Sequence, residues 1–192
     1  MGAWAGPFLV ASLLLTIAGL LKAFDPATTA GALRRAGFPV PPVVVRVGGG
    51  IEVLVGVAAI VTGAPLPAAL LACSYLVFTG FVLLALARHL PIGSCGCFGK
   101  VDTPPSVVHV VLNAGAIASA VAVALGSGGG IGDVLADQEL LGLPFLLLVG
   151  IATYLAFFAL TALPQLDRLS APDRPRPTRA RSGDLRGGRP RA

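Results

Sequence analysis

Charged residues are scarce in this chain. They make up 12% of its 192 residues, whereas a water-soluble domain typically has about 25%. Aromatic residues are also few, at 6%, while hydrophobic residues reach 55% and the mean hydropathy is +0.86. A chain of this length has no room for a separate catalytic domain beside a membrane bundle. The composition therefore argues against a soluble enzyme and indicates lipid as the solvent.

Lysine and arginine are missing from three long stretches, which are residues 1–21, 47–87 and 101–167. Five apolar segments fill most of the chain, at about residues 7–24, 43–62, 66–87, 106–125 and 141–163. Each is close to the ~20 residues that cross a hydrocarbon core. In none of these segments do apolar and polar residues alternate as they do in a β-barrel strand. In lipid, a single segment can satisfy its backbone hydrogen bonds only as a helix. We predict an all-α, polytopic membrane helix bundle, with a four-helix core and a fifth transmembrane helix.

The ends and connections of these segments differ in character. The first segment lacks the basic flank and the clear cleavage site of a signal peptide, so we interpret it as a retained helix. "GAPLP" predicts a tight turn between the second and third segments, and "GSGGGIGDVLADQE" predicts a flexible acidic connection. The bundle is assigned to residues 1–166. Residues 167–192 are rich in arginine and proline and predict a disordered tail.

Basic residues predict the orientation. All 14 lie on one side if the five segments cross, because they flank the first and third connections or follow the fifth segment. Since cytoplasmic loops carry the excess of Lys and Arg, we expect a cell-membrane protein with its N-terminus outside. The C-terminal tail and the third connection are then cytoplasmic. Most of the excess charge lies in the tail, so it does not indicate a nucleic-acid partner.

Two of the 3 cysteines, Cys95 and Cys97, lie one glycine apart in the third connection, "RHLPIGSCGCFGK". A disulfide between this cysteine pair would close a very small ring, so it would add little chain-entropy stabilisation. It would be strained, and strained disulfides tend to be labile or catalytic. Nearby Arg88, His89 and Lys100 would favour the thiolate. The pattern predicts thiol–disulfide exchange.

Other interpretations of the cysteine pair stay open. A metal site would need further ligands, such as His89 or His109, and two cysteines with two irregularly spaced histidines make a poor zinc signature. The pair is inert in a second alternative, and palmitoylated in a third. Cys73 lies far from the pair along the third segment, so we interpret it as a packing residue.

Glu52 lies about nine residues into the second segment, where a carboxylate is costly and indicates a functional site. Lys22 is its expected ion-pair partner, and a purely structural clamp or a protonated Glu52 is the alternative. His109 and Asn113 share a helix face, and a histidine near dithiols can carry the exchanged proton. A histidine bound to a backbone carbonyl is equally compatible. We expect these four residues and the cysteine pair to line one polar pocket.

The run "CGCFG", the first-segment ending "AGLLKAFD" and the second-segment run "GGGIEVLVG" resemble the methylamine utilisation protein MauE family, within the DoxX-like small membrane proteins. The resemblance covers roughly residues 13–125. It implies a multi-pass protein that matures the disulfide-rich beta subunit of methylamine dehydrogenase beside a thioredoxin-like partner, MauD. The resemblance implies functional roles for Cys95 and Cys97, and also for Glu52 and Lys22. The arginine-rich tail is not part of the family pattern.

The first functional hypothesis is a membrane thiol–disulfide redox protein in which Cys95 and Cys97 exchange, with Glu52 and His109 as further catalytic candidates. The alternative is a small transporter or quinone-binding module centred on Glu52, in which quinone is the candidate cofactor. A third hypothesis is an assembly chaperone that binds a client without redox turnover.

Overall fold

The structure is a computed structural model that describes residues 2–88, 105–137 and 142–170. Its helices are α1 (Ala5–Phe24), α2 (Pro26–Arg35), α3 (Pro42–Thr62), α4 (Pro65–Ala87), α5 (Val107–Ala122), α6 (Ile131–Asp137) and α7 (Gly142–Ser170). A single π-helical turn, Val123–Ser127, extends α5. The described residues form no strand, so the predicted all-α class is confirmed.

Five helices are long and apolar enough to cross a membrane. These spans are Ala5–Phe24, Pro42–Thr62, Pro65–Ala87, Val107–Gly126 and Gly142–Leu163. Each begins and ends within two residues of a predicted segment. The prediction of five transmembrane helices is therefore confirmed.

The first span, α1, lies at the centre of the bundle. Half of its hydrophobic window is buried by other helices, against 17% for α7. It packs most extensively on α3 and also contacts α5 and α7. The hydrophobic core forms where α1, α3, α4 and α5 meet, and it includes Phe8, Leu15, Leu71 and Tyr75. The fifth span is peripheral, as the predicted core of four helices requires.

Glycines bring α1 and α3 into backbone contact. A Cβ on Gly49 would lie 2.6 Å from the carbonyl oxygen of Gly19, and a Cβ on Gly19 would lie 2.6 Å from that of Gly49. Two helical turns further along α3, a Cβ on Gly56 would lie 2.8 Å from the carbonyl oxygen of Ser12. Small residues at a transmembrane interface allow such close approach. We call this contact the α1–α3 glycine seam.

The turn between α3 and α4 is as tight as predicted. Gly63 ends α3 with φ of 56°, a left-handed conformation that glycine adopts without a steric penalty. Pro65 then begins α4 at a position where its missing N–H costs nothing. Gly130, before α6, packs against this turn. The turn therefore anchors the segment that leads into α6.

Two connections contain short helices, and α7 extends beyond its predicted end. The first connection contains α2, and the connection predicted to be flexible contains α6, in which Asp133 accepts hydrogen bonds from the backbone N–H groups of Gly129 and Gly130. Residues 131–137 of this connection, which was predicted to be flexible and acidic, form a helix whose start is held by the Asp133 carboxylate. Helix α7 continues to Ser170, since each added residue gains one backbone bond once a helix exists. Most of the predicted tail, residues 171–192, lies outside the described residues.

The interpretation of Cys73 as a packing residue was wrong. Its side chain is exposed, on the outer surface of α4. The buried face of α4 includes Leu71 and Tyr75, and a residue two positions from each is turned about 200° around the helix. Cys73 therefore faces the surrounding lipid.

Candidate functional site

Lys22 and Glu52 form a buried ion pair between α1 and α3. The Lys22 Nζ atom donates to Glu52 Oε1 at 2.8 Å and to Oε2 at 2.7 Å. The side chains are only 6% and 16% exposed. The predicted partner of Glu52 is confirmed. Because the two charges compensate each other, the bundle can hold both inside an apolar region.

The glycine seam determines the geometry of the ion pair. Gly19 and Lys22 are three residues apart on α1, and Gly49 and Glu52 have the same spacing on α3. A Cβ on Gly19 would lie 2.9 Å from the Cβ of Glu52, and one on Gly49 would lie 3.0 Å from the Cβ of Lys22. The stems of the charged side chains therefore flank the seam directly.

Helix direction explains how the two side chains reach each other. Helical side chains tilt toward the N-terminus of their own helix. Lys22 lies near the end of α1 and so tilts back into the bundle, while Glu52, in the middle of the antiparallel α3, tilts toward it. The two long side chains thereby bridge an offset along the helix axes.

Phe78 of α4 packs on the ion pair from the other side. The Lys22 Nζ atom lies 4.3 Å from the centre of the Phe78 ring, which is a cation–π distance. The same ring meets Tyr75 edge to face, with centroids 5.8 Å apart. The Tyr75 hydroxyl donates to the backbone carbonyl of Ala11 at 2.7 Å. These contacts join α4 to α1 beside the charged pair.

His109 and Asn113 lie on one buried face of α5, as predicted, with 3% and 8% exposure. The Ser106 hydroxyl and His109 Nδ1 are hydrogen-bonded at 2.9 Å. No hydrogen bond to Asn113 occurs within the described part of the chain. Its side chain lines a cavity of about 40 Å³ together with His109, which is large enough for a water molecule.

The four described residues of the predicted polar pocket line two separate cavities, and its two cysteines lie outside the described residues. Lys22 and Glu52 line a cavity of about 270 Å³, and His109 and Asn113 line the smaller one. Phe78 lines both cavities. The two polar pairs are therefore neighbours with an aromatic ring between them, because α4 places Phe78 between α1, α3 and α5.

A larger groove of about 530 Å³ lies between α1, α5 and α7. Its described lining residues, such as Val10, Leu14, Leu112 and Phe145, include no ionisable side chain. The shape of the groove suits an alkyl chain, but its described lining offers no specific polar contact. The chemistry of the described residues is concentrated at the two polar pairs.

Cys95 and Cys97 lie outside the described residues. The described chain leaves α4 at Arg88 and resumes at Pro105, just before α5. Both ends of this connection are at the same end of the bundle as Lys22, because α1 and α4 end there and α5 begins there. Among the described residues, no group of three His, Cys, Asp or Glu side chains is close enough to hold a metal ion.

Sequence reasoning missed Phe78 and the pairing of Gly19 with Gly49. One signal was present, namely the matched spacing of "GLLK" in α1 and "GGIE" in α3, each with a glycine three residues before the charge. No comparable signal marked Phe78, because its contact with Lys22 depends on how distant helices pack.

The family model for the methylamine utilisation protein MauE matches residues 1–126, about two thirds of the chain. The matched region contains the first four spans, both polar pairs and the cysteine pair. It ends at Gly126, so α6 and α7 lie outside it. No curated protein and no solved structure matches the chain. The match and the five spans together indicate a multi-pass membrane protein of methylamine utilisation.

Proposed function

The chain belongs to the methylamine utilisation protein MauE family, and on that premise we propose that it is a membrane thiol–disulfide protein. Cys95 and Cys97 are the exchanging pair. The client is a disulfide-rich protein, with the beta subunit of methylamine dehydrogenase as the family example, and the partner is a thioredoxin-like protein of the MauD type. The observation that carries the proposal is the family match across residues 1–126, which includes both cysteines.

The proposed exchange has two steps. The thiolate of one cysteine attacks a partner disulfide, forms a mixed disulfide and releases one partner thiolate. The second cysteine then attacks the mixed disulfide, which releases the other partner thiolate and leaves a Cys95–Cys97 disulfide. The partner gains two electrons and the cysteine pair loses two. Two protons leave the pair, and two protonate the partner sulfurs.

His109 supports the proposal as a proton carrier. It lies within the first turn of α5, and α5 follows the connection that carries the cysteine pair. Its bond to Ser106 orients the ring, which is the usual requirement for a histidine in proton transfer. We propose that His109 serves the dithiol as a proton-transfer residue.

The orientation is part of the proposal. The basic residues of the described part of the chain lie at or near helix ends on one end of the bundle, and they are Lys22, Arg34, Arg35, Arg46, Arg88 and Arg168. By the positive-inside rule that end is cytoplasmic. The implied client is extracytoplasmic, so electrons would cross the bundle unless α1 fails to span. The length and hydropathy of α1 indicate that this helix spans the membrane.

Trapping of a mixed disulfide tests the proposal. We expect Cys97→Ser, or the reciprocal Cys95→Ser, to accumulate a covalent complex with the thioredoxin-like partner that runs as a heavier, reductant-sensitive band. Cys73→Ser is the matched control, because Cys73 is exposed on the outer surface of α4, and it should trap nothing. Full client maturation by both single variants, with no complex captured, would refute the exchange.

A second candidate function is favoured by the cavity beside Lys22 and Glu52. Here the bundle is a small transporter or a quinone-binding module, and Glu52 is the working residue. Under this function, Glu52→Gln abolishes client maturation while Cys95→Ser combined with Cys97→Ser has no effect. The opposite pattern favours thiol exchange.

A further inference from the structure

The cavity beside the ion pair lies at the basic end of the bundle, between α2, α3 and α4. Its volume is about 270 Å³, slightly below the ~300–1,000 Å³ typical of small-molecule sites. Thr29 and Leu33 of α2 form one wall, and Val77 and Phe81 of α4 form another. The cavity has room for the head of an amphiphile rather than for a whole lipid.

The charge of the lining excludes an ionic occupant. Among the described lining residues, Lys22 and Glu52 are the two with ionisable side chains, and they neutralise each other at 2.7 Å. Apart from Thr29 and two glycines, the other described lining residues are apolar. A charged molecule here would lose its hydration without gaining an uncompensated counter-charge, which is strongly unfavourable in an apolar site.

The Lys22 ammonium contacts Glu52 and the face of the Phe78 ring, and one of its N–H groups has no oxygen partner among the described residues. An ammonium group has three N–H donors, and Glu52 accepts two of them. Within the described part of the chain, no oxygen accepts the third. A ligand atom with a lone pair, such as a carbonyl or hydroxyl oxygen, would complete the coordination of this buried cation.

The cavity opens toward lipid. Val44 on α3 and Val77 on α4 belong to its lining and are 54% and 70% exposed. Both lie within membrane-spanning helices, so a molecule dissolved in the bilayer reaches the cavity sideways, between α3 and α4. Helix α2 covers the cavity from the membrane surface, since Ala32 of α2 packs with Ala85 of α4.

We propose that this cavity binds an uncharged, lipid-soluble molecule whose compact head accepts a hydrogen bond from Lys22. The proposal deepens the second candidate function by naming the ligand class, and it does not depend on the cysteine pair. Two sources share this chemistry, a membrane quinone and a neutral lipid with an ester or hydroxyl head.

Photolabelling of the full-length protein in nanodiscs tests the proposal. Four probes carry the same short diazirine-bearing alkyl tail and differ only in their heads, which are a benzoquinone, a glycerol ester, a carboxylate and a trimethylammonium group. We expect saturable labelling near Val44 and Val77 by one or both uncharged probes, and the stronger of the two identifies the source. Saturable labelling by the charged probes at the same peptides, equal to that by the uncharged ones, would overturn the proposal.

Two neighbouring glycines supply a matched pair of variants. Gly48 lines the cavity and Gly50 does not, and a Cβ on either would meet no atom within 4 Å. Gly48→Leu fills the cavity, so we expect labelling to fall about tenfold, while Gly50→Leu labels as the unmodified protein does. Equal labelling of both variants would overturn the proposal.

Two further variants separate this proposal from thiol exchange. Lys22→Met removes the donor and should weaken labelling by the uncharged probes about tenfold. Cys95→Ser combined with Cys97→Ser should leave labelling unchanged, whether or not the thiol-exchange proposal survives. Loss of labelling in that double variant would contradict an independent ligand cavity.

Discussion

The glycine seam makes a sharp stability prediction at Gly49. In Gly49→Ala the added methyl group would lie 2.6 Å from the Gly19 carbonyl oxygen and 2.9 Å from the Ala23 backbone nitrogen. Both are main-chain atoms and cannot rotate away. Ordinary contact begins at 3.4 Å, so α1 and α3 must separate locally by about 0.8 Å. Overpacking of this kind costs ~1–3 kcal/mol, and we expect that loss in the free energy of unfolding.

Gly48→Ala and Gly50→Ala are the controls, because a Cβ at either position meets nothing within 4 Å. Alanine is also the better helix former by ~0.5–1 kcal/mol, so these variants should be neutral or slightly stabilised. The measurement is SDS titration of the full-length protein in mixed micelles, followed by far-UV circular dichroism. If Gly49→Ala unfolds at the same SDS fraction as the two controls, the glycine seam does not hold α1 against α3.

Two further predictions concern side-chain contacts and use the same titration. Lys22→Met and Glu52→Met should each lower the free energy of unfolding by ~3–5 kcal/mol, because a buried charge loses its partner. The double variant should lose much less than the sum of the two single losses. Additive losses would rule out a direct ion pair. Tyr75→Phe removes the hydroxyl bond to Ala11 and should cost ~1 kcal/mol. Tyr154→Phe, at an exposed position, should cost nothing, and equal effects of the two tyrosine variants would contradict the assigned bond.

The sequence was sufficient to predict the spans because hydropathy and length are local properties. Apolar runs of about 20 residues have one stable form in lipid, and each predicted segment matched a helix within two residues. The short helices α2 and α6 were missed for a related reason. They are too short and polar to span, and their formation depends on packing against α4 and on capping by Asp133.

The side of each helix that faces the core of the bundle was harder to predict than the membrane spans. A helix that is apolar all round carries no amphipathic stripe that tells which side is inward. The three consecutive glycines of α3 look equivalent in sequence, yet only Gly49 contacts α1. Cys73 was misassigned for the same reason. Side-chain facing in such helices is decided by packing between segments distant in the chain.

The charged pair was predictable because ionisable residues are so rare here. A buried carboxylate needs a partner, and Lys22 was the basic residue at the adjoining helix end. The division of the polar residues into two cavities could not be predicted, since it depends on Phe78 of a third helix. The mutual distances of the cysteine pair and the polar pairs stay predictions, because Cys95 and Cys97 lie outside the described residues.

Alkylation in intact cells tests whether the cysteine pair is reversibly oxidised. A membrane-impermeant maleimide and a permeant one are applied with and without prior oxidant, in a Cys73→Ser background, and the labelled sites are read by mass spectrometry. We expect that only the permeant reagent labels Cys95 and Cys97, and that oxidant removes the labelling of both until a reductant restores it. Labelling of both cysteines that oxidant never changes would contradict the account.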